Sequence, residues 1–192
     1  MKVTYEIENG KKVEVITYDD GVFMKFDENG NEIYFKSSDG DEFWSEYDEN
    51  GNEIHCKDSN DFEVWNEYDE NGRKIHYKNS DGDESWYEYN SNGNEVHFKV
   101  SNGFERRMEY DSNGWLTYYK SSNGVEEWYE YDANGNVIHL KDSDGDESWS
   151  EYDKNGNMIH FKNSDGYEQW FEYDTNGNCI HFKDSDGVEK WL

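Results

Sequence analysis

The sequence contains no proline, only two cysteines, and no apolar run approaching the length of a membrane span. Each shortage excludes something. Without proline, strands can pair over their whole length with no donor missing from the ladder. Cys56 and Cys179 are too few for the disulfide framework of a small secreted domain and lack the spacing of a zinc knuckle. Read in strand register they are expected on opposite faces and almost six repeats apart. A disulfide needs Cα atoms within about 7 Å, so no bond between them is expected. Positive charge is also scarce: 18 Lys and Arg stand against 46 Asp and Glu, for a net charge of -28. Such a chain has little with which to neutralise phosphates or anionic lipid, so neither nucleic acid nor membrane insertion is expected. A cationic partner or divalent ions suit the charge better. The first residues, MKVTYEIENG, hold no apolar signal core, which leaves cytoplasmic residence or export by another route open. Hydrophobic residues make up only 32%, too few for a thick two-layer core.

What is abundant is aromatic: 18% of residues are Phe, Trp or Tyr. Large rings bury much area each, so a thin ordered structure is expected where composition alone would suggest disorder. The glycines are periodic. Gly30, Gly51, Gly72, Gly93, Gly114, Gly135, Gly156 and Gly177 recur every 21 residues. A second series runs through Gly40, Gly82, Gly103, Gly124, Gly145, Gly166 and Gly187, with Asp61 in the one missing place. The consensus is E-Y-D-x-N-G-N-x-I-H-x-K-x-S-D-G-x-E-x-W-x. Asn-Gly and Asp-Gly between alternating segments are hairpin signals, and no arm is long enough for a stable helix. The expected fold is therefore all-β: tandem 21-residue β-hairpins in one continuous, curved or superhelical antiparallel sheet. Residues 30–192 carry the repeats and end mid-repeat; residues 1–29 read as a degenerate first repeat or N-terminal cap.

Register follows from the turns. A three-residue Ser-Asp-Gly loop pairs His76 with Trp86 and Lys78 with Glu84. A four-residue loop ending at Gly93 pairs Trp86 with His97 and Glu84 with Lys99. One odd and one even loop keep every side chain on its face from copy to copy and set each residue beside its own copy 21 positions on. One face then displays columns of His, Trp, Lys and Glu, with Lys between two Glu and His between two Trp. The other carries the Ile, Phe and Tyr columns and is expected to be the more buried.

The run YDANGNVIHLKDSDGDESWSEYDKNG, Tyr131 to Gly156, resembles the RHS or YD repeat of bacterial and phage surface proteins and toxins. The YD dipeptide, the Asn-Gly turn, the Asp-x-Asp-Gly turn ten residues on and the period carry the resemblance, over residues 30–187. The chain departs from the family in placing Ile138 three residues after Gly135, not two, and in having Trp three residues before YD where the family has Tyr two before. The resemblance implies a hairpin superhelix that forms a wall or spacer. A looser resemblance, to choline-binding and clostridial-toxin cell-wall repeats, implies ligand pockets between hairpins; MORN-type repeats are a more distant comparison.

Candidate sites are few. Trp65, Trp86, Trp128, Trp149 and Trp170 form either an aromatic track for a glycan or a packed seam that holds the sheet. One irregular repeat has Arg107 in place of Trp, Tyr118 in place of His, and Trp115 beside the turn; it marks either a binding spot or drift between copies. The histidines are spaced too widely to share a metal ion, and the Asp142–Glu147 turn lacks the glycine placement of a calcium loop. No catalytic residue, metal or cofactor is expected, because a catalytic site is a singular constellation and here every constellation recurs. The expected function is a non-enzymatic repeat scaffold, a structural spacer, wall or self-associating surface element that pairs through edge strands. The alternative is a carbohydrate- or cell-wall-binding module. The chain stops mid-repeat at Leu192, as expected of a fragment of a longer array or of ends that associate.

Overall fold

The computed structural model describes residues 1–192 and contains strands and turns but no helix. The chain divides into two compact units, Met1–Glu88 with Phe98–Gly103, and Tyr89–His97 with Phe104–Leu192. The first holds β1 (Lys2–Glu8), β2 (Lys11–Thr17), β3 (Phe23–Phe26), β4 (Glu32–Lys36), β5 (Glu42–Tyr47), β6 (Glu53–Asp58), β7 (Glu63–Tyr68), β8 (Lys74–Asn79) and, but for its last residue, β9 (Glu84–Tyr89). β10 (Glu95–Val100) contributes to both. The second holds β11 (Glu105–Tyr110), β12 (Leu116–Ser121), β13 (Glu126–Tyr131), β14 (Val137–Asp142), β15 (Glu147–Tyr152), β16 (Met158–Asn163), β17 (Glu168–Tyr173), β18 (Cys179–Asp184) and β19 (Glu189–Trp191). Within each unit, strands adjacent in sequence pair antiparallel.

The Ser-Asp-Gly hairpin has the expected register: His76 faces Trp86 and Lys78 faces Glu84. The Asn-Gly hairpin does not. In the second unit Trp128 faces Lys141 and Glu130 faces His139, while Tyr131 faces Val137. The pairing slips by one residue between Glu130 and Tyr131, so Ile138 is an extra residue on β14, a β-bulge. The same slip occurs at Glu46/Tyr47, Glu67/Tyr68, Glu151/Tyr152 and Glu172/Tyr173.

Both turns turn out to be the same kind. In one, the Asp132 amide donates to the Asn136 carbonyl (3.0 Å) and the Gly135 amide to the Asp132 carbonyl (3.2 Å). In the other, the Asp142 amide donates to Asp146 (3.0 Å) and the Gly145 amide to Asp142 (3.3 Å). Both are three-residue loops ending in a left-handed glycine. The parity that an even loop was expected to supply comes from the bulge.

This corrects the expected columns. Pairing carries a residue across two strands to the one 19 positions on: Trp128 to Lys141 to Glu147, and Glu130 to His139 to Trp149. Like residues of successive repeats are displaced by two positions along the strand. They keep their face, because two is a whole side-chain period. Lys therefore lies between Trp and Glu, and His between Glu and Trp, not as expected. A two-residue step over two strands inclines the strands by about 35° to the direction in which each unit's ladder grows, similar to the tilt of closed barrels.

At three of the bulges the tyrosine of the following YD dipeptide donates to the carbonyl just before the extra residue. The hydroxyl of Tyr47 donates to the Glu32 carbonyl (3.1 Å), that of Tyr68 to Glu53 (3.1 Å) and that of Tyr131 to Leu116 (2.7 Å). Each acceptor is the residue just before the bulged aliphatic position of the preceding hairpin. Burial raises the pKa of all three phenols. Tyr131→Phe is expected to cost about 1 kcal/mol by leaving that carbonyl unpaired. Tyr110→Phe should cost less, because the Tyr110 hydroxyl reaches only Met108 Sδ at 3.8 Å. Urea unfolding of both variants checks the difference.

The core is thin, as the composition required. The buried apolar residues are Val13 and Val15 on β2. Elsewhere the Tyr-bearing face is the more covered, with Asn66, Asn79, Ser121 and Asp184 buried on it. The Trp residues of the opposite face are 38–40% exposed at Trp65, Trp128, Trp149 and Trp170. Cys179 is paired across from Tyr173, and Cys56 across from Ser45 and Val64. Each thus lies on the Tyr-bearing face of its unit, not on opposite faces as expected, because the bulge changes the parity between their positions. Both are unpaired thiols.

Candidate functional site

The residues that define the repeat act on its turns. Asp132 Oδ1 accepts the amides of Asn134 (2.8 Å) and Asn136 (3.0 Å), while Oδ2 accepts the Asn136 side-chain amide (2.9 Å). The side-chain bond from Asn136, then its backbone N–H, holds this carboxyl below the usual aspartate range. Asp48, Asp153 and Asp174 repeat the arrangement with Asn52, Asn157 and Asn178. At Asp69 the partner is Arg73, whose Nε lies 2.7 Å away. Asn90 makes the backbone part with an amide in place of the carboxylate, accepting from Asn92 (2.9 Å) and Asn94 (3.0 Å).

These turns also touch their neighbours. A Cβ placed on Gly72 would come 3.5 Å from the Asn52 side chain, and one on Gly177 3.7 Å from Asn157. Gly135 is tighter: its Cβ would lie 2.8 Å from Cζ2 of Trp115, which occupies the place of that Asn. At the other turns the serine makes the link. The Ser164 hydroxyl accepts the Glu147 amide (3.1 Å), and the Ser164 amide donates to the Glu147 carbonyl (2.7 Å). Ser80 and Ser185 do the same with Glu63 and Glu168.

This is the chemistry behind a Tyr-Asp-x-Asn-Gly signature: aspartate closes the turn, glycine makes room for the preceding copy, and at three hairpins tyrosine bonds the bulge. Residues 87–189, more than half of the chain, match the teneurin YD-shell family. The chain belongs to that family. Among solved structures this YD-shell chain is similar to TcdB2-TccC3-TEV, with a TM-score of 0.60 at 15% identity over 94% of this chain and 11% of that one. It is similar to TcdB2-TccC3-Cdc42, with a TM-score of 0.58 at 16% identity over 91% and 10%. It is also similar to a Photorhabdus luminescens Tc holotoxin pore, with a TM-score of 0.54 at 16% identity over 94% and 11%. At these identities the likeness is one of fold, and the chain spans about a tenth of the length of those structures. No curated protein matches the chain.

In the YD-shell framework the anticipated tryptophans Trp65, Trp86, Trp128, Trp149 and Trp170 occupy the more open face. Trp65, Trp86, Trp149 and Trp170 each stack on a histidine of the preceding strand at 5.2–5.4 Å between ring centres, with 8–16° between planes. Lys183 lies over Trp170 at 6.0 Å and Lys99 over Trp86 at 5.7 Å. Each histidine is in turn held between two glutamates. His139 Nε2 is 3.1 Å from Glu147 and its Nδ1 3.5 Å from Glu130; His160 meets Glu168 at 3.1 Å and Glu151 at 3.6 Å. One row across five strands therefore reads Glu130, His139, Trp149, Lys162, Glu168. Two of the glutamates that hold these histidines have lowered pKa values: Glu147 through Lys141 and then His139, and Glu168 through His160. Each of these indoles is stacked on an imidazole, and at Trp86 and Trp170 a lysine lies over the ring as well.

The irregular repeat differs. Tyr118 takes the histidine position against Trp128, tilted by 42° at 5.7 Å. Its hydroxyl donates to Glu126, which drives the phenol pKa up to about 12. Trp115 is half-buried against Tyr131 (5.4 Å) and Gly135. Arg107 lies along its own strand, its Nη2 2.9 Å from Glu105. The structure does not gather these three into one pocket. The roles of the YD tyrosine, the turn serine and the bulged aliphatic residue were not anticipated. Their signal lay in the fixed place each holds relative to the two glycines.

Proposed function

We propose that the chain is a segment of a repeat wall, a non-enzymatic scaffold whose work is to extend and enclose. The observation that carries this reading is the reciprocity of the repeat. Within each unit, tyrosines such as Tyr68 and Tyr131, asparagines such as Asn52 and Asn157, and the turn serines meet a neighbouring copy, so successive repeats support one another. Membership of the YD-shell family and the likeness of fold to TcdB2-TccC3 agree with it. Recurrence of one constellation, with no singular arrangement of acid, base and nucleophile, supports the non-catalytic part. The His, Trp and Lys rows then serve as a packing seam, in which one face of each indole is stacked on imidazole. In this reading β1 and β2, joined by the tight Asn9-Gly10 turn, form a distinct first hairpin.

A chain carrying one further copy of residues 132–152, inserted after Tyr131, tests the proposal. A repeat array gains one more nearest-neighbour interface, so a cooperative melt at or above the parent temperature is expected. Loss of cooperative folding, or a saturable change of tryptophan emission on adding neutral oligosaccharides, would count against a wall.

A further inference from the structure

The one repeat that breaks the aromatic row replaces it with a pair of cations. Arg107 stands directly opposite Lys120, where the next repeat sets Trp128 opposite Lys141. Like charges facing each other across strands are unfavourable. Each cation has a glutamate. Arg107 Nε and Nη2 lie 3.2 and 2.9 Å from Glu105 Oε1, which His97 Nε2 also meets at 2.9 Å. Lys120 Nζ lies 3.3 Å from Glu126 Oε2, and the other oxygen of Glu126 accepts the Tyr118 hydroxyl. The cations are nonetheless the outer members: the side chains of Arg107 and Lys120 are 65% and 54% exposed, against 34% and 26% for Glu105 and Glu126. Beside them lies a recess of ≈ 190 Å³ lined by Glu105, Arg106, Arg107, Lys120, Ser121 and Ser122. Arg106 adds little charge to it, because its Nε and Nη2 are bound to Glu95 at 3.0 and 2.8 Å.

We propose that Arg107 and Lys120 bind a small tetrahedral oxyanion, sulfate or phosphate, either inorganic or as an ester group. The guanidinium offers a planar fork of donors and the ammonium a compact charge. An anion between them removes their mutual repulsion, and several oxygens let one ion reach both. The chain's net charge of -28 opposes any anion at long range. At about 0.15 M salt that field is screened beyond about 8 Å, and the nearest charges decide.

The test compares the melting temperature of the parent chain and of Arg107→Trp, which restores the repeat consensus. Both are titrated with millimolar sodium sulfate, sodium phosphate or glycerol phosphate over about 0.15 M sodium chloride. The parent is expected to rise by about 2–4 °C at saturation. Arg107→Trp should fold at least as stably as the parent, because the like-charge pair is gone, and should not respond. Lys120→Gln, which leaves the guanidinium in place, should show a weakened response. A response to the ester alone assigns the site to ester groups, and a response to inorganic ions as well assigns it to the free anion. Equal responses of parent and Arg107→Trp, or no response of the parent to any of the three, would overturn the proposal.

Discussion

Gly135→Ala is expected to cost about 2–5 kcal/mol, whereas Gly145→Ala should cost only about 1–2 kcal/mol. Both glycines have left-handed backbones, φ +89° and +92°, and an alanine at either suffers the same Cβ strain. They differ in what surrounds them. Nothing lies within 4 Å of a Cβ on Gly145, while one on Gly135 meets Trp115 at 2.8 and 3.0 Å. The indole is itself wedged against Tyr131, so it cannot swing aside without losing that contact. Overpacking of this kind typically adds about 1–3 kcal/mol. Trp115→Asn in the Gly135→Ala background should recover that part, because asparagine in the same place clears the glycine by 3.5–3.8 Å at Asn52, Asn136 and Asn157. Urea unfolding of the double-mutant cycle should give a coupling of about 1–3 kcal/mol between the two positions. Additive effects would mean that the repeats do not meet there.

Acid should unfold the chain through its turns. The carboxyls of Asp48, Asp132, Asp153 and Asp174 hold their protons less tightly in the folded chain than their ordinary value of 3.8, because each accepts a side-chain bond from asparagine as well as backbone N–H bonds. As pH falls, the unfolded chain therefore binds protons first. The stability these groups confer is complete above the ordinary carboxylate range and is lost as pH drops through the lowered folded values. Relief of general repulsion at -28 acts in the opposite direction, so the comparison must be with a variant. Asp132→Asn is the apt one, since Asn90 already makes the backbone bonds of this turn. It should be less stable than the parent at pH 7, where the Asn136 side chain loses its acceptor, and should lose less further stability by about pH 3. Urea midpoints at both values decide; parallel pH profiles would rule out the turn aspartates as the acid-sensitive element.

Much of this was legible in the residues. The two glycine series fix the turns, and Ser-Asp-Gly fixes the pairing of His76 with Trp86. The other hairpin was misread because its parity was assigned to the loop. Asp132-Ala133-Asn134-Gly135-Asn136 and Asp142-Ser143-Asp144-Gly145-Asp146 share aspartate first and glycine fourth, and they make the same loop. With two odd loops, a 21-residue period keeps its faces only if a strand carries one extra residue. The displaced Ile138 is that residue, and its departure from the RHS pattern was the available sign. The tyrosine's role was not legible, because its acceptor is a backbone carbonyl that exists only once the bulge has formed. Trp115 was visibly out of pattern, but its contact with Gly135 depends on the two-residue stagger, which no single repeat reveals.

That stagger is tested most directly by interproton contacts between β13 and β14 in solution. Cross-strand nuclear Overhauser effects should join Trp128 to Lys141 and Glu130 to His139, with Tyr131 joined to Val137 beyond the slip. Contacts joining Trp128 to His139 and Glu126 to Lys141 instead would mean unstaggered columns and no bulge, and would contradict the account.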